Sequence, residues 1–594
     1  MEHPLISFHR EALTCSAWST IRDDFYFQFL DRFESAKWRN SNPNAGPKKW
    51  VAVLHEPKKF RRHCKEALGK WILSQKGREL GINDSASANL HATNPFDIIS
   101  NKEMYFLPHY APEGEEGSSI VEEGQVQHLR SYDAQLIRDL SLKCSPRVHH
   151  DNAFFADLER FVKEDFNLFE RCSAAHFKIS AAVHTLIHNS GEGEVADANV
   201  VGEKRQRDET EPAFTFPFHP TLTVVEPTEA RNSVQSRIQG RIVVIGVQGG
   251  ERLNETIHHS ERSGWKVNSK MPFGSDVPVS IPEPVWHKMC QLYKTFGEDV
   301  DTKKFGNQLN VDVQQHIRIP ESASDSLKAC DIGAFTFLRC ATLALRYESN
   351  LSSGSLQLCA DPALKEVFQT EGYHVVDLCA SPINAFVTKS SATNVFCSAF
   401  FDIDYFFGSL GSATTLDLKE LEKPHPGSWL ESRLQSVNGA SSKPLCLTLD
   451  VPYDEDLCNL LFAKLKKDCD ANISSKMCFL LVLPLWWNIA FKHCKKQLVD
   501  GQNGATATTA MEQGVSYLNK GYPVTYTWPE ELAESMWAEF DAIFVKDTYS
   551  YFCTVSNKFL DGVTATEVIG FGSPNKSEDG VPSPKTILNR FYFP

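Results

Sequence analysis

The sequence predicts a carboxyl-terminal α/β domain that follows a mainly helical amino-terminal region. From Leu356 onward, short apolar runs alternate with helical segments, and the runs end at a proline, glycine or aspartate. This alternation is typical of a mainly parallel sheet, in which ligands bind at the carboxyl ends of the strands. Earlier in the chain, apolar residues recur at helical spacing, as they do from Phe154 to Val162. We therefore expect a helical domain over residues 1–188 and the α/β domain over residues 351–594.

Two further regions separate these domains. Residues 189–212 are polar and rich in glycine and glutamate, a composition that buries too little apolar surface to order itself, so we expect a disordered linker. Residues 213–350 mix β-prone runs such as Arg241–Gly250 with helical patterns such as Glu283–Tyr293, which predicts a mixed β and helical region. The glycine-containing run lacks the full Gly-x-Gly-x-x-Gly spacing, and we interpret it as a hairpin or strand end rather than a nucleotide-binding loop.

The composition limits the classes of function. The chain has 594 residues, a hydrophobic fraction of 42% and a formal net charge of −14, which describe a globular protein and not a polycation. Any nucleic acid must therefore bind to a local basic pocket. The 16 cysteines include no Cys-x-x-Cys pair, so we expect no structural zinc site. We recognise no secretory signal and no membrane-spanning run, which predicts a reducing compartment and no membrane partner.

Four apolar runs in the α/β region are candidate strands, and the third ends in a motif with chemical meaning. The runs are Tyr373–Ala380, Asn394–Phe401, Pro444–Leu449 and Cys478–Pro484. Asp450-Val451-Pro452-Tyr453 follows the third run. The acid and a carbonyl beside the proline suit the two N–H groups of an exocyclic amine, and the aromatic ring suits stacking on a base. Such a turn is also common in βα units that have no site, so both interpretations stay open at this point.

Three blocks of this region resemble a known family. Cys379–Phe386 contains Ala-Ser-Pro-Ile-Asn, and Phe396–Ser409 contains Cys-Ser-Ala-Phe, two acids and Phe-Gly-Ser. Asp450–Asp456 occupies the place of an Asn-Pro-Pro-Phe motif that is followed by an acidic helix start. In this order the blocks resemble the cap-specific adenosine-N6 methyltransferase family, also called the phosphorylated CTD-interacting factor family. The resemblance extends over about residues 275–560.

The resemblance implies a Rossmann-like domain that transfers a methyl group from S-adenosylmethionine to RNA. The implied acceptor is the N6 amine of the 2′-O-methyladenosine next to the 7-methylguanosine cap of an mRNA, and no metal takes part. The implied partner is therefore the capped 5′ end of mRNA, with transcription or capping machinery as a further class. We expect a nuclear location, with the cytoplasm as the alternative.

The resemblance also implies a role for each matching residue. The residues that hold the reacting base are Asp450, Pro452 and Tyr453. The residues that bind the donor are Ala380, Ser381, Pro382, Asn384, Asp402 and Asp404. For Ser381 and the two acids, a helix cap or a solvated strand end is the alternative role. From the chemistry of cap recognition, the candidates for contact with the RNA are Val451, Trp486, Arg339 and Arg346, with Tyr549 and Tyr551 as further aromatic candidates. The alternative for these aromatic and basic side chains is a core aromatic or a surface charge.

Two departures from the family pattern keep other functions open. Asp450 replaces the family's asparagine, and an aspartate also accepts hydrogen bonds. Val451 replaces the family's first proline. Valine has a backbone N–H that proline lacks and does not fix φ, so the loop is less rigid. We also find no pair of tryptophans with the spacing of a WW module. The alternatives are a catalytically degenerate methyltransferase fold that binds capped RNA or a partner enzyme, and a methyltransferase that acts on another RNA nucleotide.

Overall fold

The computed structural model describes part of the chain, and every structural statement below refers to that part. The described residues are 2–33, 57–81, 105–109, 133, 136–137, 139–140, 152–189, 218–225, 241–249, 279–314, 333–347, 358–386, 395–438, 443–450, 461, 464–465, 477–484, 542–554, 557–571 and 581–592. Apart from its first residue, Asn189, the predicted linker lies outside them.

Helices dominate the described amino-terminal part and recur between the strands of the carboxyl-terminal part. In chain order they are Pro4–Phe33 (α1), Pro57–Gly81 (α2), Asn152–Arg160 (α3), Leu168–Asn189 (α4), Glu283–Phe296 (α5), Glu298–Gln314 (α6), Ala334–Ala344 (α7), Pro362–Thr370 (α8), Phe401–Asp404 (α9), Leu418–Glu422 (α10), Trp429–Asn438 (α11) and Pro584–Tyr592 (α12). A π-helical turn, Phe161–Asp165, continues α3.

The longest described helix, α1, packs its aromatic side against α4 and α7. Phe8, Trp18, Phe25 and Phe29 are all buried, and their spacing places them along one side of a helix. α7 lies after residue 330, so the first helix of the chain packs against a helix that is distant in the sequence. The amino-terminal helices agree with the helical pattern of the sequence.

A first sheet has three antiparallel strands in the order β1-β2-β3. They are Phe218–Val225 (β1), Ile242–Gly249 (β2) and Val279–Pro282 (β3). The glycine-containing run thus forms a strand of an antiparallel sheet, in agreement with its interpretation as a strand. The chain passes directly from β3 into α5, and Arg241 Nε donates to Glu283 Oε2 at 2.8 Å across that junction.

The second sheet has six strands and a mixed topology. They are Leu358–Cys359 (β4), His374–Asp377 (β5), Leu445–Leu449 (β6), Met477–Pro484 (β7), Ala542–Cys553 (β8) and Lys558–Phe571 (β9). The spatial order is β4-β8-β9-β7-β6-β5. β5, β6 and β7 are parallel, whereas β9 runs antiparallel to β7 and β8. The structure is therefore a mixed helix and sheet fold with a parallel section, as an α/β fold requires.

Two isolated bridges extend the parallel section beyond β5. Phe396 bridges Asp377, and Ser409 bridges Phe396, both in parallel orientation. From β5, the chain therefore proceeds first to Phe396 and Ser409 on one side and later to β6 and β7 on the other. The strand order reverses at β5, and open α/β sheets bind ligands outside the carboxyl ends of the strands at such a point.

The two faces of the second sheet belong to different hydrophobic clusters, because successive side chains of a strand point to opposite faces. Leu447 and Leu481 belong to the larger cluster, which also contains Leu5 of α1. Cys446 and Leu480 belong to a second cluster with residues of α8 and α12. The described amino-terminal helices and one face of the sheet thus share one core, although the sequence predicted separate domains.

A buried charge cluster also joins α1 to the α/β part. Arg346 follows α7, and its Nη2 lies 2.8 Å from Glu11 Oε2 and 3.1 Å from Asp402 Oδ2. Burial alone would lower the pKa of Arg346, but the two carboxylates outweigh it and raise the pKa, so the guanidinium keeps its charge. Removing this cation would take its charge away from two buried acids.

We expect Arg346→Leu to lower the free energy of unfolding by about 3–5 kcal/mol, because breaking a buried ion pair leaves its partner charged and buried. Urea denaturation followed by circular dichroism measures this change. The matched control is Arg160→Leu, whose side chain is 57% exposed beside Asp157. An exposed pair contributes less than about 1 kcal/mol, so equal losses for the two variants would contradict the structural role of Arg346.

Candidate functional site

The candidate site lies where β5 and β6 end. Leu378 N donates to Thr448 O at 2.9 Å, which keeps the two chain segments together as they leave the sheet. The loop Cys379–Phe386 follows β5, and Asp450 follows β6. Both lie at the reversal of strand order, so two of the sequence blocks that resemble the methyltransferase family meet at the edge where a ligand is expected.

The backbone of the loop after β5 is fixed by its own hydrogen bonds. Ala380 N donates to Cys397 O at 3.0 Å, which ties the loop to the next strand position. Asn384 Oδ1 accepts from Ser381 N at 2.6 Å, and Ser381 Oγ accepts from Asn384 N at 3.3 Å. This reciprocal pattern is that of a capping box. The side chains of Ser381 and Asn384 therefore bind each other and shape a turn, not a helix start, around the buried Pro382.

Asp377, the last residue of β5, lies beneath this loop and is a residue that the sequence reasoning missed. Its Oδ1 accepts from Lys365 Nζ at 2.6 Å and from Thr448 Oγ1, and its Oδ2 accepts from Phe386 N at 2.9 Å. Burial opposes ionisation, but Lys365 and the hydrogen-bond donors outweigh it and lower the pKa of Asp377. The signal in the sequence that could have identified Asp377 is an acidic residue within an apolar strand pattern.

Asp450 is half-buried and is the predicted acceptor for the amine. Its Oδ2 accepts from Ala360 N, whereas the described residues provide no partner for Oδ1. Burial raises the pKa of Asp450 to about 6, although Lys365 and the Ala360 N–H oppose this shift. The carboxyl group of Asp450 is therefore held in place through Oδ2 and is ionised at neutral pH. Val451, Pro452, Tyr453 and Trp486 lie outside the described residues.

The two acids predicted to bind the donor have partners inside the protein. Asp402 binds Arg346, and its side chain is 11% exposed. Asp404 is fully buried, accepts a hydrogen bond from the Tyr347 hydroxyl, and has its pKa raised to about 7 by burial. These contacts give both acids a role in the interior, and they argue against direct contact of Asp404 with the donor.

The two arginines predicted to contact RNA phosphates are also internal. Arg339 donates to both oxygens of Asp301, at 3.0 and 2.8 Å, and stacks over Phe406 at 3.7 Å from the ring centroid. The side chains of Arg339 and Arg346 are each 2% exposed. Their charges are neutralised by acids of the protein itself, so neither guanidinium faces a phosphate in this structure. Tyr549 and Tyr551 are likewise core residues.

A cation at the loop was also missed by the sequence reasoning. Lys288 of α5 donates from Nζ to Ile383 O, and to Ala385 O at 3.2 Å. Burial lowers the pKa of Lys288 to about 8. The residue lies almost a hundred positions before the loop, and only the helical pattern of its surroundings was visible in the sequence.

The β8–β9 hairpin extends past the carboxyl end of β7 and forms one side of the site. β7 ends opposite Thr566, whereas β9 begins at Lys558. In this extension, Cys359, Phe552 and Phe559 are aligned across β4, β8 and β9. Aligned residues of neighbouring strands point to the same face. Cys359 is buried beside Asp450, and Phe559 is 50% exposed, so this face leads from the candidate acceptor to solvent.

The raised pKa of Asp450 predicts a measurable pH dependence of stability. The folded protein binds this proton more tightly than the unfolded chain does, so the contribution of Asp450 to stability is lost as the pH rises from about 4 to about 6. We expect Asp450→Asn to stabilise the protein by about 1–3 kcal/mol above pH 7 and to have little effect near pH 4. Urea denaturation at both pH values tests this, with the exposed Glu366→Gln as control; a gain that is independent of pH would contradict it.

The described residues contain no group of three or more histidine, cysteine, aspartate or glutamate side chains arranged to hold a metal ion. No helix in the described part of the chain is both long and apolar enough to cross a membrane. Comparisons of the chain with protein-family models and with curated proteins find no match. The functional conclusion therefore depends on the geometry of this site and on its sequence motifs.

Proposed function

We propose that the protein is an S-adenosylmethionine-dependent RNA methyltransferase that acts on the N6 amine of the cap-adjacent 2′-O-methyladenosine. One observation carries the proposal. The loop Ala380–Asn384 and Asp450, which the family resemblance assigns to the donor and to the base, lie together at the carboxyl ends of β5 and β6. The nucleotide and its position next to the cap come from the resemblance of the motifs.

The strand order supports this fold assignment. The positions Ser409, Phe396, β5, β6 and β7 follow the doubly wound order 3-2-1-4-5, in which a nucleotide-like ligand binds at the reversal. β9 then inserts antiparallel between β7 and β8.

The residues at the reversal fit the proposed donor. Cys379 and Ala380 are half-buried and small, so the backbone of the loop remains accessible beside β6. Lys288 adds a positive charge at the same loop. When bound, the donor supplies a methyl group on a positively charged sulfur, which is already activated for transfer.

Asp450 has the properties that the acceptor side of the reaction requires. Its Oδ1 can accept one N–H of the adenine amine, which turns the nitrogen lone pair toward the methyl group. Methylation would develop positive charge on that nitrogen, and the carboxylate of Asp450 would stabilise that charge. With a pKa of about 6, Asp450 can then take the released proton and pass it to solvent.

We expect purified protein to transfer a labelled methyl group to capped RNA that begins with 2′-O-methyladenosine, with the product identified by mass spectrometry of the cap nucleotides. Uncapped RNA of the same sequence and capped RNA with another first nucleotide are the matched substrates. If uncapped RNA is methylated as well as capped RNA, the alternative of a methyltransferase that acts on another RNA nucleotide is favoured. Donor binding without transfer to any RNA would favour the non-catalytic alternative, which the valine at position 451 motivates.

We expect Asp450→Ala to lower kcat/KM by at least about 100-fold, because an acceptor aimed at developing charge is lost. Donor affinity, measured by calorimetry, should stay within a few-fold. The activity of the unmodified protein should also fall below about pH 6, where Asp450 becomes protonated. Glu366→Gln, on the exposed side of α8, is the control, and unchanged turnover in Asp450→Ala would remove this residue from the mechanism.

A further inference from the structure

Lys288 is a cation at the candidate donor loop without an acid of its own. Its Nζ contacts the carbonyl oxygens of Ile383 and Ala385, and the described residues place no carboxylate within ion-pair distance. The nearest acid that acts on it electrostatically is Asp377, which is already bound by Lys365 at 2.6 Å. Carbonyl oxygens solvate an ammonium group but do not neutralise it.

A comparison of Lys288 with Lys365 shows how a bound anion would affect the pKa of a buried lysine. Burial acts against the charge of both, but Asp377 and Asp450 raise the pKa of Lys365. For Lys288, Cys359 and Asp377 also act to raise the pKa, but burial outweighs them and lowers it to about 8. A partly buried cation that lacks a counter-ion is unfavourable, and an anion bound next to it would remove that penalty.

We propose that Lys288 binds the α-carboxylate of the methionine part of S-adenosylmethionine. The inference rests on the proposed function, because it takes the Ala380–Asn384 loop as the donor loop. An ammonium group has three N–H donors, and the two carbonyl oxygens account for two of them. The third remains for the donor. Lys288 is half-buried as a residue, and its Nζ lies at the loop itself, where a ligand bound to the loop would meet it.

Binding of two ligands can distinguish a carboxylate-binding role of Lys288 from general support of the loop. S-adenosylhomocysteine contains the carboxylate, whereas 5′-methylthioadenosine contains the same nucleoside and sulfur without it. We expect Lys288→Gln to weaken S-adenosylhomocysteine binding by about 10-fold or more and methylthioadenosine binding by less than threefold, as measured by calorimetry. Glutamine can still donate to the loop carbonyls, so the loop keeps its support while the charge is lost.

Two control variants show whether a loss of affinity comes from the charge of Lys288. Lys288→Arg keeps the charge and should retain most of the affinity for S-adenosylhomocysteine, and the exposed Lys294→Gln on the same helix should change neither ligand. Equal weakening of both ligands in Lys288→Gln, or no weakening of either, would overturn the inference while leaving the proposed function in place. If the unmodified protein binds neither ligand, the proposed function itself fails.

A second inference comes independently from the β8–β9 hairpin. Phe559 is 50% exposed, its ring lies 5.3 Å from that of Phe552, and both align with Cys359 beside Asp450. Neighbouring strands are about 4.8 Å apart, so Phe559 lies about two strand spacings from Cys359, which is within the reach of an adjoining nucleotide. We infer that Phe559 stacks on a base of the capped RNA next to the reacting adenosine, which again rests on the proposed function.

We expect Phe559→Ala to raise the Kd for a short capped RNA about 10-fold, with kcat within twofold, whereas Phe559→Tyr keeps the stacking ring and the affinity. Fluorescence anisotropy measures the RNA affinity without catalysis. Phe27→Ala, which removes another exposed phenylalanine on α1, is the control. An unchanged Kd in Phe559→Ala, or an equal loss in Phe27→Ala, would overturn this inference even if the unmodified protein methylates RNA.

Discussion

The carboxylate of Asp377 holds together the segments that meet at the carboxyl edge of the second sheet. It binds Lys365 from α8, Thr448 from β6 and the backbone of Phe386 at the end of the loop. The environment of Asp450 follows from this arrangement. Because Asp377 neutralises Lys365, the lysine only partly offsets the effect of burial, and the pKa of Asp450 rises to about 6. One buried ion pair thus fixes both the shape of the loop and the proton affinity of the candidate acceptor.

The features that the sequence predicted well are those determined by neighbouring residues. A strand pattern that ends in a polar motif places that motif at the edge of a sheet, which is why Ser381 and Asp450 lie at the expected edge. Parallel strands bring their carboxyl ends together, so motifs far apart in the chain meet without any further information. The reciprocal hydrogen bonds of Ser381 and Asn384 are equally local.

The features that the sequence predicted poorly depend on partners far away in the chain. Arg339 and Arg346 were expected to contact the RNA, but Asp301 and Glu11 reach them from other helices. The same limit hid Lys288, whose contacts are 95 and 97 residues away. A charged residue in a helical pattern has the same local signature whether it faces solvent, an acid or a ligand, and only tertiary packing distinguishes these cases.

The packing of α1 has a consequence for synthesis of the protein on the ribosome. α1 emerges from the ribosome long before α7, yet its buried side belongs to a core completed by much later residues: the Cys15 thiol, for example, donates to Leu345 O, 330 positions further along. Its row of aromatic side chains therefore stays without its final partners during most of translation, and exposed apolar surface of this kind promotes aggregation. The chain consequently depends on completed synthesis, or on a chaperone that covers α1 in the meantime, before the candidate site can form.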